Sequence, residues 1–223
     1  MYQQSGFQQL PTVIKNLLII NGLVFLAQMT PGPLSGLVEQ FFALWPIGPG
    51  PDILRFPDGS TSMVHEFWPW QLVTYGFLHG GFMHIFLNMF MLWMLGAPIE
   101  RLWGAKRFAI FYFVCVVGGG ILQLGATYGG GAYTLGASGG VMGVAIAFGM
   151  VFAEEKLIIL PIPFPIKGKW MAVGYFVINV MGAFGPGNGV AYMAHLGGMV
   201  FGYLLIQYWR GKLPIKPEQR MYY

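Results

Sequence analysis

Ser138 lies in Gly136-Ala137-Ser138-Gly139, where an uncharged, glycine-rich loop (Gly129 to Thr134) gives way to an apolar run that ends at Ala153. A serine hydroxyl is a weak nucleophile. It becomes competent for acyl transfer when an imidazole within hydrogen-bond reach takes its proton. His195 is the candidate base. His84 and Asn88 stand four residues apart, so on a helix both project from one face, where they can donate to the oxyanion of a tetrahedral intermediate. The backbone N–H of Ser138, at a helix N-terminus, is a further donor. No Asp or Glu falls deep within an apolar run, since Glu100 and Glu154 sit at run ends. The expected arrangement is therefore a Ser-His dyad without a carboxylate third member.

The elements that must bring these groups together are membrane helices. Hydrophobic residues make up 56% of the 223-residue chain and charged residues 9%, and the mean hydropathy is +0.60. That composition excludes an ordinary soluble domain. About 20 apolar residues cross a hydrocarbon layer roughly 30 Å thick. Six segments approach that length, at about 14–29, 77–97, 107–125, 136–153, 170–185 and 190–209. The predicted fold is an all-α, six-helix membrane bundle forming a single domain over residues 1–223. No cleavable-signal pattern follows the first segment, which reads Gln28-Met29-Thr30-Pro31 at its end, and it is expected to be retained.

Lys and Arg near helix ends favour the cytoplasmic side. With six spans, Lys15, Arg101, Lys106, Arg107, Lys156, Lys167, Lys169, Arg210, Lys212, Lys216 and Arg220 share one face, and Arg55 alone falls on the other. Both termini are thus expected in the cytoplasm, and the compact chain suggests a bacterial inner membrane. The net charge of +4 follows from this asymmetry and from anionic lipid headgroups, so it implies no nucleic-acid partner. Cys115, the only cysteine, permits neither an intrachain disulfide nor a cysteine-based metal site, and no metal or cofactor is expected.

Depth ties the polar groups together. Counted from the cytoplasmic ends at a rise of about 1.5 Å per residue, Ser138, His195 and His84 stand about 15, 14 and 13 residues up, roughly 7–10 Å below the outer face. His195, Gly198 and Gly202 share one helical face, and the fourth span offers Gly139, Gly143 and Gly149, so the two helices are expected to pack very closely. His79, nearer the surface, reads as a capping residue, and Asn179 as an interhelical or water-binding amide. The first outer loop, Thr30 to Phe67, carries six prolines that rule out a long helix. It is also too apolar for a freely solvated loop, so part of it is expected in the interface. The run from Leu157 to Ile166, with three alternating prolines, is expected to skim the inner surface.

Taken in order, Gly136-Ala137-Ser138-Gly139, His84-x-x-x-Asn88 and Ala194-His195-Leu-Gly-Gly198-x-x-x-Gly202 resemble the rhomboid intramembrane serine proteases, and Glu100-Arg101 resembles a further family feature. The resemblance covers nearly the whole chain. It implies Ser138 as nucleophile, His195 as base, His84 and Asn88 as oxyanion donors, and single-span membrane proteins in the lipid bilayer as substrates. It further implies cleavage in or near a helix-destabilised segment, with entry between the second and fifth spans. A nonproteolytic rhomboid-like chaperone is the alternative, although such relatives are expected to lack Ser138 or His195. A transporter or bis-histidine haem protein using His84 and His195 is disfavoured by the missing intramembrane carboxylates and by the serine's placement. Two departures stand out. Trp70-Gln71 stands where the family carries a Trp-Arg pair, which removes one charged stabiliser of the first loop and predicts altered stability without loss of the chemistry. Met142 occupies a position where an aromatic ring often packs on the histidine, which predicts looser orientation of the base.

Overall fold

The computed structural model describes residues 10–55, 61–158, 164–185, 190–218 and 220–221. Its helices are α1 (Thr12–Gln28), α2 (Pro33–Phe42), α3 (Gln71–Thr74, continued by a 3-10 turn at Tyr75–Phe77), α4 (Phe82–Trp103), α5 (Ala105–Ala126), α6 (Ser138–Val151), α7 (Gly168–Phe184) and α8 (Val190–Trp209). Two small antiparallel ladders accompany them, β1 (Ile53–Arg55) with β2 (Thr61–Met63) and β3 (Lys156–Leu157) with β4 (Ile166–Lys167). The architecture is helical. By length and composition, α4 and α5 are long and apolar enough to cross a membrane, and α1 and α6 are shorter apolar helices.

Apolar side chains line both the inside and the outside of this assembly. Leu92, Leu95, Phe108 and Phe111 are fully buried, while Phe82, Phe86, Trp93, Ile121, Phe176, Met181 and Phe184 point outward. A water-facing surface would not carry so much contiguous apolar area, whereas a lipid-facing one does. At the centre, α5, α6 and α8 pack with their backbones nearly touching. A Cβ on Gly198 would overlap the carbonyl oxygen of Gly139, one on Gly197 would come within 2.8 Å of the Gly119 Cα, and one on Gly202 within 3.3 Å of the Gly143 Cα. Gly149, grouped with these by spacing, faces elsewhere: its neighbours are Ala172 and Gly168 of α7.

The second predicted span needs its limits moved. Residues 78–81 form an irregular connection before α4, and the helix then runs through Pro98 to Trp103. The extension carries Glu100, 3% exposed, whose two carboxylate oxygens accept the Val13 and Ile14 N–H groups at 2.8 Å. Those donors are orphans of the first turn of α1, which has no side-chain cap of its own. Gly104, at φ +81°, is the sole residue between α4 and α5 and turns the chain where a side chain would strain it.

Prolines exclude a long helix from the first outer loop but not a short one: α2 starts with Pro33 at its first turn, where no N–H is needed. The loop is also fastened. Leu44 and Thr134 exchange N–H···O bonds at 2.9 Å, joining it to the segment just before Ser138. Gln71 takes part in this fastening. That side chain is fully buried, its Oε1 accepts the Trp45 and Trp68 N–H groups at 3.2 Å, and its Nε2 reaches the Gln40 and Phe41 carbonyls at 3.5 Å. A neutral amide with both donors and an acceptor thus holds the loop from within. Residues 159–163 of the inner apolar run lie outside the described residues, as do 186–189. The run's flanks pair as β3 and β4, with Ile158 and Phe164 exposed.

Candidate active site

Ser138 opens α6. Ala137 precedes it without a side-chain cap, and the first N–H of α6 bonded to a helical carbonyl is that of Val141, to Ala137 at 3.0 Å. The N–H groups at the start of the helix thus point away from it toward the serine's side of the site. Gly136 sets the approach. Its φ of +129° is a left-handed conformation, and a Cβ there would come within 2.8 Å of the His84 Cε1 and Nε2 atoms and 3.6 Å of the Ser138 Oγ. Rather than packing helix on helix, it keeps the space between the serine and the His84 ring open. The Gly136 N–H is held by the Tyr75 carbonyl at 2.9 Å.

Ser138 Oγ and His195 Nε2 are 2.7 Å apart although 57 residues separate them. The glycine contacts of α6 with α8 make this distance attainable, because no side chain intervenes between Gly139 and Gly198. A third group completes the line. Asn179 of α7, 4% exposed, sets its Oδ1 2.7 Å from His195 Nδ1, and its Nδ2 donates to the Tyr175 carbonyl at 2.7 Å. The helices α6, α8 and α7 therefore each supply one member of a continuous Ser138–His195–Asn179 chain. An amide thus stands beside the histidine at the position where a triad would hold a carboxylate. The available signal was an Asn in an otherwise apolar span, a group that is costly to leave unpaired.

His84 and Asn88 share one face of α4, on the other side of Gly136. The Gly80 N–H donates to His84 Nδ1 at 3.2 Å, so in the neutral ring the proton resides on Nε2, the ring nitrogen that faces Gly136. Asn88 is buried, and one hydrogen of its Nδ2 goes to the His84 carbonyl at 3.0 Å, which leaves the second hydrogen for another acceptor. His79 is buried beside them. Its backbone N–H donates to Gln28 Oε1 of α1 at 2.9 Å, and its ring stands edge-on to His84 with centroids 5.0 Å apart. Met142 packs with Leu196 and Met199. The aromatic ring next to the base is instead Tyr192, one turn earlier on α8, T-shaped at 6.2 Å. Both nitrogens of His195 are in 2.7 Å contacts that do not involve Met142.

The Rhomboid domain family matches residues 66–211, the stretch that holds every residue of this constellation. The chain belongs to the rhomboid family and is an integral membrane protein. Among curated relatives it is 28% identical over 194 residues to Rhomboid protein 1, mitochondrial, of Saccharomyces cerevisiae, covering 84% of this chain and 55% of that one. It is 27% identical over 209 residues to RHOMBOID-like protein 2 of Arabidopsis thaliana (86% and 63%). To Rhomboid protease GlpG of Serratia proteamaculans it is 29% identical over 163 residues (70% and 52%). The chain thus spans between half and two thirds of the length of these relatives.

Proposed function

We propose that this chain is an intramembrane serine endopeptidase in which Ser138 is the nucleophile, His195 the general base, and His84 and Asn88 donors to the oxyanion. The observation that carries the proposal is the 2.7 Å contact between Ser138 Oγ and His195 Nε2, facing the His84 edge across Gly136. In this mechanism Ser138 Oγ attacks a substrate carbonyl carbon while its proton passes to His195 Nε2. The oxyanion takes hydrogen bonds from His84 Nε2–H, Asn88 Nδ2–H and the Ser138 N–H. His195 then gives its proton to the departing amine, and an acyl-enzyme forms. Water, deprotonated by the same imidazole, hydrolyses that ester and restores the hydroxyl.

Further parts of the reading rest on sequence. Residues 1–223 form one domain. Six helices, α1, α4, α5, α6, α7 and α8, cross the bilayer with both termini cytoplasmic, in a bacterial inner membrane, and the site opens toward the outer side. The substrates are single-span membrane proteins. Because a helix hides its carbonyls in hydrogen bonds, cleavage favours segments that unwind easily. Proline or glycine near the cut should speed it, and cleavage rates indifferent to both in a substrate series would remove this step.

Fluorophosphonate labelling of the detergent-solubilised chain tests the nucleophile. Native protein should label, while Ser138→Ala and His195→Ala should fall to background. Labelling that survives Ser138→Ala defeats the proposal. Native protein that stays unlabelled yet retains transmembrane segments of other proteins would favour the chaperone reading.

A further inference from the structure

We infer that Asn179 is a positioning residue that fixes the tautomer of His195, placing the ring proton on Nδ1 and leaving Nε2 bare to accept from Ser138. The inference rests on the reading of Ser138 and His195 as nucleophile and base, and concerns what makes that base competent.

The hydrogen-bond network determines which way the Asn179 amide faces. A backbone carbonyl only accepts, so the atom 2.7 Å from the Tyr175 oxygen is the NH₂ group, and the atom 2.7 Å from His195 Nδ1 is Oδ1. Turning the amide over would set Oδ1 against the Tyr175 oxygen, two acceptors at hydrogen-bond distance, in a buried place where water cannot intervene. Tyr175 and Asn179 are four residues apart on α7, so the helix itself holds the amide. Oδ1 can only accept, and Nδ1 must therefore carry the hydrogen. A neutral imidazole has one N–H. Nε2 is then an acceptor, and the 2.7 Å contact to Ser138 is the hydroxyl donating to the ring.

A neutral amide orients without adding charge. It cannot stabilise the imidazolium as a carboxylate would, so His195 is set in place but is not made more basic. Of the titratable groups, Tyr192 on α8 stands T-shaped to the ring at 6.2 Å, His84 on α4 lies across Gly136 from Ser138, and Tyr175 on α7 packs against the Met142, Leu196 and Met199 cluster. The helices α6, α7 and α8 carry no carboxylate.

Two measurements on the full chain in detergent test this. In a ¹⁵N spectrum of histidine-labelled native protein, with His195 assigned by its loss in His195→Ala, the neutral ring should show protonated Nδ1 and unprotonated Nε2. The reverse pattern overturns the inference. Asn179→Leu, similar in size, should lose that tautomer preference and slow fluorophosphonate labelling at least about tenfold, within the roughly 10⁴-fold that a wrong tautomer costs. Asn179→Asp should recover rate and move the acid limb of the pH–rate profile to higher pH by about one unit or more. An Asn179→Leu protein with native melting temperature, labelling rate and pH profile also overturns it. If either negative result comes while Ser138→Ala is inert, only the role of Asn179 fails. Labelling that persists in Ser138→Ala removes the underlying reading instead.

Discussion

At the scale of single residues, the site depends on atoms that are missing as well as on those present. Gly136→Ala would put a methyl group 2.8 Å from the His84 ring in a left-handed backbone conformation. It should cost about 1–3 kcal/mol in strain and lower the labelling rate by displacing His84. Removing the donors directly should show their separate weights. His84→Ala and Asn88→Ala are each expected to slow labelling by about 10²–10³-fold with little change in melting temperature, the usual loss for one oxyanion donor. An unchanged rate in both would mean that the backbone N–H of Ser138 suffices. Ser138, His195, His84 and Asn88 were legible in the sequence because polar groups in apolar helices are rare and helical rise gives their depth. The part played by Asn179 was not. Depth and spacing say which side of its own helix a residue lies on, but not which neighbour it meets, and an uncharged amide gives no electrostatic hint of a partner.

Individual helices show where stability lies. Glu100 caps α1 from the far end of α4, about 24 Å along the helix from His84. Glu100→Ala would leave the buried Ile14 N–H without its partner, at about 1–3 kcal/mol, and the part-buried Val13 N–H at less. A lower melting temperature is expected, with labelling per folded molecule preserved. The base of α7 is held by charge. Glu154 pairs with Lys167 at 2.7 Å and with Lys169, and these hydrogen bonds bring its carboxyl down to about 2. A carboxyl whose pKa falls on folding binds fewer protons in the folded state. The pairing therefore stabilises at pH above the ordinary carboxylate value and is lost as pH falls through about 2. Both partners are solvent-exposed, so the effect is small and salt-sensitive. Glu154→Gln should melt lower than native protein at neutral pH in low salt, and the gap should narrow as pH falls from 5 toward 2. A gap independent of pH would assign the loss to something other than the charge. At this scale helix positions were legible in the sequence and helix limits were not. The second span was placed to end at about residue 97, yet α4 continues through Pro98 to Trp103; the proline's missing N–H costs one bond, while Glu100 beyond it accepts two.

The whole molecule is arranged around the junction of α5, α6 and α8, and the sequence anticipated its closeness from the glycine spacing without showing that α5 takes part. Glycines differ sharply in what they tolerate. Gly22 and Gly174 have nothing within 4 Å, so alanine there should be neutral or stabilising by about 0.5–1 kcal/mol through helix propensity. Gly198→Ala meets the backbone of Gly139, which cannot rotate out of the way, and should cost about 1–3 kcal/mol and labelling together. Equal behaviour of Gly174→Ala and Gly198→Ala in both assays would refute this ordering. Because α6 and α8 meet backbone to backbone, the span from nucleophile to base is calibrated by peptide units and not by any replaceable side chain. A complete scan of enlarging substitutions should therefore draw the seam as a line of inactivated positions, Gly118, Gly119, Gly139, Gly143, Gly197 and Gly198, none of which bears a reactive group. Its tolerance for error is about the width of a methyl.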